Sequence, residues 1–62
     1  MTTEDQAIEI ALTLLVNIEN PSGVQVRDAV TKAIELVDMN LLTGTIYSEV
    51  MERLHAGEQE AR

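Results

Sequence analysis

Pro21 divides the chain. It sits within Asn20-Pro21-Ser22-Gly23, and proline lacks the amide hydrogen that a helix interior needs while pushing the residue before it out of helical geometry. The residues on either side of this tetrapeptide must therefore fold as separate elements. A second interruption runs from Asn40 to Thr45 and is centred on Gly44. Three segments remain, roughly 3–19, 23–39 and 45–57. Helices of this length are marginal alone in water, so their stability has to come from packing against one another.

Each segment opens with capping chemistry. Thr3 with Gln6 and Ser22 with Gln25 both fit the reciprocal S/T-x-x-E/Q box, and Thr43 or Thr45 is available to cap the third segment. Apolar spacing supports helices over strands. In the second segment Val26, Ala29, Val30, Ala33, Ile34, Leu36 and Val37 fall within about 160° of arc. Arg27, Asp28, Thr31, Lys32, Glu35 and Asp38 take the opposite side. In the third, Ile46, Tyr47, Val50, Met51 and Leu54 occupy about 140°. The last residues, Gly57 to Arg62, carry no apolar stripe and are expected to fray or to form a polar helical extension.

The first segment has a different pattern. Gln6, Glu9, Thr13, Asn17 and Asn20 make a polar stripe only about 80° wide, while its apolar residues spread over about 240°. A central helix clasped by both others accounts for part of that arc, and a second chain against one flank accounts for the rest. Ile8, Leu12 and Val16, with Leu15 beside them, form the expected interface flank; Ile10 with Leu14 forms the other. Length makes the same demand. A domain of 62 residues buries only about 60% of its unfolded surface. Without cysteine there is neither a disulfide nor a thiolate metal site to compensate, which leaves packing or oligomerisation.

Charge and residue inventory exclude much chemistry. Eleven Asp plus Glu against four Lys plus Arg give a net charge of −7, which opposes the phosphate contacts that nucleic-acid binding needs. His55 is the only histidine, and a nucleophile–base–orienter triad has nothing else to draw on. Gly23, Gly44 and Gly57 are isolated, so no phosphate-cradling loop is present. Asp38 to Glu49 superficially resembles a calcium loop, but Leu42 stands at a ligand position and Thr43 where the turn needs glycine. Glu52-x-x-His55 has the spacing of a di-iron bundle ligand pair, yet both residues lie on the polar side of their helix. No enzymatic activity, metal or cofactor is expected.

The N-terminal Met1-Thr2-Thr3-Glu4-Asp5 is acidic, where a secretory leader begins with basic residues. No apolar run exceeds three residues, as in Leu14-Leu15-Val16, far short of the ~20 a membrane span requires. The expectation is an all-α, cytoplasmic, small three-helix domain over residues 1–62, assembled as a homodimer with helix 1 at the interface. Its expected role is to bind another protein, as an inhibitor, an antitoxin-like neutraliser, an adaptor or a regulatory subunit. Two alternatives stand beside it. One is a helix-turn-helix-like DNA-binding transcriptional regulator built on the last two helices. The other is an acidic nucleic-acid mimic that blocks a basic groove.

Overall fold

A computed structural model describes residues 2–60 of the chain, with side chains through Ala56. Three helices pack together: α1 (Thr3–Leu15), α2 (Gly23–Val37) and α3 (Thr43–Glu60). There is no strand among the described residues. The Gly57 to Arg62 tail continues α3 as far as Glu60, while Ala61 and Arg62 lie outside the described residues.

The α2 cap forms as its sequence implies. Gln25 N donates to Ser22 Oγ (3.2 Å) and Ser22 N donates to Gln25 Oε1 (2.8 Å). The α1 box is displaced by one residue from Thr3 and Gln6. Asp5 N donates to Thr2 Oγ1 (3.1 Å) and Thr2 N to Asp5 Oδ2 (3.3 Å). A carboxylate at the third position accepts more strongly than a neutral amide, and with Glu4 it complements the positive end of the helix dipole.

At its other end α1 stops at Leu15, four residues earlier than its apolar pattern implies. The chain tightens through Val16 N to Thr13 O (3.3 Å) and Ile18 N to Leu15 O (3.0 Å), the short-range bonding that closes many helix ends. Within the last turns of α1, Thr13 Oγ1 donates back to Glu9 O (2.9 Å), the bond a threonine makes to the carbonyl four residues before it in a helix. Asn20 then adopts φ 50, the left-handed region that asparagine tolerates better than most residues. Ile18, two residues before it, packs against the core.

Between α2 and α3, Asp38 is extended, and its Oδ1 accepts from Asn40 N (2.9 Å) while its carbonyl accepts from Leu41 N (3.1 Å). The helix that follows begins at Thr43, two residues before the expected start, with Ile46 N bonded to Leu42 O (3.2 Å).

Buried residues come from all three helices: Ala7, Ile8, Ala11 and Leu15; Val26, Ala29, Val30, Ala33 and Ile34; Ile46 and Val50. The most extensive interhelical contact is between α1 and α2. Leu14, Leu15 and Ile18 share a groove with Ala29 of α2, and Ala7 and Ala11 lie on the same side of α1 as Leu14 and Ile18. Ala33 follows Ala29 by one turn. Four of the buried residues on these two helices are alanines, Ala7 and Ala11 on α1 and Ala29 and Ala33 on α2, and small side chains permit helices to approach closely. Tyr47, half-buried on α3, brings its Oη to 3.3 Å from where a Cβ on Gly23 would lie, so the first residue of α2 is small because α3 passes close to it.

Two predictions follow from this packing. Gly44 is helical with open space around it, so Gly44→Ala should stabilise by about 0.4–1 kcal/mol, read as a rise of about 2–8 °C in Tm by circular dichroism. Gly23→Ala should give no such gain. Ala33→Leu should overpack the core and destabilise by about 1–3 kcal/mol or more, a large share of the roughly 3–9 kcal/mol total expected of a chain this size, and urea denaturation measures it.

Candidate protein-interaction surface

The interface residues expected on α1 are split by the fold. Ile8 and Leu15 are buried in the chain's own core, Leu12 is half-buried against it, and Val16 lies just beyond the helix end with 73% of its surface exposed. α1 touches both α2 and α3, so its wide apolar arc is shared between two neighbours in the same chain. Ile8 and Leu15 are unavailable to another molecule unless the core opens.

The opposite flank stays at the surface. Ile10 is half-buried and Leu14 is 44% exposed. Two shallow depressions adjoin there and share Leu14. One, of about 360 Å³, is lined by Gln6, Glu9, Ile10, Thr13 and Leu14. The other, of about 270 Å³, lies between α1 and α2 and is bordered by Ile18, Gln25, Asp28, Ala29 and Lys32 as well as Leu14 and Leu15.

Other exposed apolar residues lie elsewhere, Val16 and Val24 around the first loop and three at the α2–α3 corner. Leu36, Met39 and Leu42 are exposed by 67%, 77% and 72%. Sequence periodicity assigns Leu36 to the inward arc of α2, but in the structure it is exposed, in the last turn of the helix. Met39 and Leu42 belong to no helical period, so a search for amphipathic faces passes over them. The available signal is their spacing, three residues apart from Leu36, inside a turn marked by Asp38, Asn40 and Gly44. The turn is held at both levels: the Asp38–Asn40 bond fixes its backbone, and Leu41 packs inward against the core. Single exposed hydrophobics are ordinary on soluble proteins. Here three large ones, Leu36, Met39 and Leu42, are exposed within seven residues of one ordered turn.

The titratable groups offer less. Asp38 and Asn40, which open the calcium-loop resemblance, are bonded to each other in the turn, and Glu49 lies on α3. Glu52 and His55 are exposed and line a surface dent of about 300 Å³ with Met51 and Ala56. Among the described residues no three His, Cys, Asp or Glu side chains converge to hold a metal ion. No helix of the described residues is long and apolar enough to cross a membrane.

Compared with known proteins, the chain matches no family model, no curated protein and no solved structure.

The division between corner and core is directly measurable. Replacing Met39 and Leu42 together by serine should change stability by about 0.5 kcal/mol or less, as for surface sites. Leu15→Ala should cost about 2–5 kcal/mol. Urea denaturation midpoints compare the two.

Proposed function

We propose that this protein is a small acidic interaction module that acts by binding another protein, as an inhibitor, antitoxin-like neutraliser, adaptor or regulatory subunit. It works in the cytoplasm and as a homodimer formed through α1. The observation that carries this reading is the ordered apolar corner of Leu36, Met39 and Leu42. Removing apolar surface from water is the main drive for protein association, and a side chain already held in place loses less conformational entropy on docking than one on a mobile loop.

The acid excess fits the same role. Glu4, Glu9, Glu19, Asp28, Glu35 and Glu52 are all exposed. They keep a chain with apolar surface dispersed and favour a target with basic surface around an apolar pocket. DNA recognition by α3 draws no comparable support. Ile46 is fully buried, and the outward side chains of the first turns include Thr45, Ser48 and Glu52 without a basic residue before Arg53.

The test is affinity capture from the native host by immobilised wild-type protein and by a Met39→Asp, Leu42→Asp variant of equal helicity, followed by mass spectrometry. Retention of one protein by the wild type, with affinity reduced about 30-fold or more in the variant, is expected for loss of a binding hot spot. Equal retention by both, or no retained protein, would remove the reading. A mobility shift with duplex DNA that survives ~150 mM salt would replace it with the DNA-binding alternative.

A further inference from the structure

We propose that the second copy in the homodimer docks on the face where α1 meets α2, with the two-fold axis running past Leu14. The inference rests on the homodimer reading above and names a face that the α1 core residues Ile8 and Leu15 cannot supply. Leu14 is shared by the two depressions, one running along α1 alone and the other lying between α1 and α2. A two-fold axis through the centre of an isologous contact sets each side of the face against the opposite side of its copy. The depression of Gln6, Glu9, Ile10 and Thr13 would then cover the one bordered by Ile18, Gln25, Asp28 and Lys32. Ile10 meets Ile18 and Ala29 around a central pair of Leu14 side chains.

Charge selects a second copy as the occupant. Two chains of −7 repel over most of their surfaces. This face carries two acids, Glu9 and Asp28, and one base, Lys32, for a local sum of −1. The charges are also unevenly placed. Glu9 is the only charge in the first depression, and Lys32 with Asp28 borders the second. Two-fold docking brings each Glu9 toward the Lys32 of the copy, with Asp28 as the single opposing charge. Two neighbouring helices about 20 Å long and about 10 Å wide each offer on the order of 400–600 Å² per copy. That is the low end of specific interfaces, and a dissociation constant in the micromolar range is expected.

Sedimentation equilibrium across about 1–200 μM, a range that brackets micromolar affinity, tests the proposal. The wild type should move from 6.8 kDa toward twice that mass. Leu14→Glu should weaken association by about tenfold or more, since an apolar contact is lost at the axis and two like charges take its place. Lys32→Glu should weaken it by about fivefold, as expected for two rim pairs. Glu9→Lys combined with Lys32→Glu should associate at least as well as the wild type, because the ammonium introduced at position 9 then faces two carboxylates of the copy, the new one at position 32 and that of Asp28. Glu52→Lys combined with Lys32→Glu has the same net charge but should stay weak, since Glu52 is on α3. Asp28→Asn should tighten the dimer. Each variant is compared at equal helicity.

A wild-type mass that remains at 6.8 kDa throughout overturns the homodimer reading and this face with it. A dimer unchanged by Leu14→Glu, or a charge swap restored equally well at Glu52, overturns this face alone.

Discussion

Small buried side chains govern how the first two helices pack: Ala7 and Ala11 of α1 and Ala29 and Ala33 of α2 are all in the core. The chain's one aromatic residue is only half-buried, and the largest wholly buried side chains are Ile46, Val26, Val30 and Val50. A core of such modest volumes reaches the packing density of a protein interior only if the backbones come close. Ala7 and Ala11 on one helix and Ala29 and Ala33 on the other make that approach sterically feasible. Leu14 and Leu36 remain at the surface beside this interior.

Most of the architecture is legible in the sequence because it rests on local rules. Pro21 fixes the first break, Ser22 and Gln25 specify a cap by spacing alone, and the inward positions of α2 and α3 follow the helical period. What escapes the sequence is what depends on distance between helices. Periodicity ranks residues by angle but not by the room available at that angle, so Leu36 reads as core yet stands exposed, while Ala29, at a similar angle, is buried. The same limit affects α1. Its broad apolar arc reads as surplus until two neighbours are seen to share it, which takes Ile8 and Leu15 inside and leaves Val16 outside. Helix ends are likewise set by local bonds, as at Asp5, rather than by apolar spacing.

The two proposed contact surfaces are built from different residues. The α1–α2 face is nearly neutral and shallow, which suits a modest, self-complementary contact. The α2–α3 corner is apolar, exposed and held by its own turn hydrogen bonds, which suits insertion into a concavity on a different protein. Acidic side chains over much of the remaining surface limit indiscriminate association, because a partner docking there must tolerate negative charge.

Tyr47 gives the protein a reporter at a single junction. It is the only aromatic side chain, and its hydroxyl rests where α3 passes the first residue of α2. Near-ultraviolet absorption and fluorescence therefore come from that one contact, whereas the far-ultraviolet signal comes from the backbone of all three helices. Loss of α3 docking before loss of helix would separate the two signals in time or in denaturant. Coincidence of the two would mean that the junction and the helices form one cooperative unit.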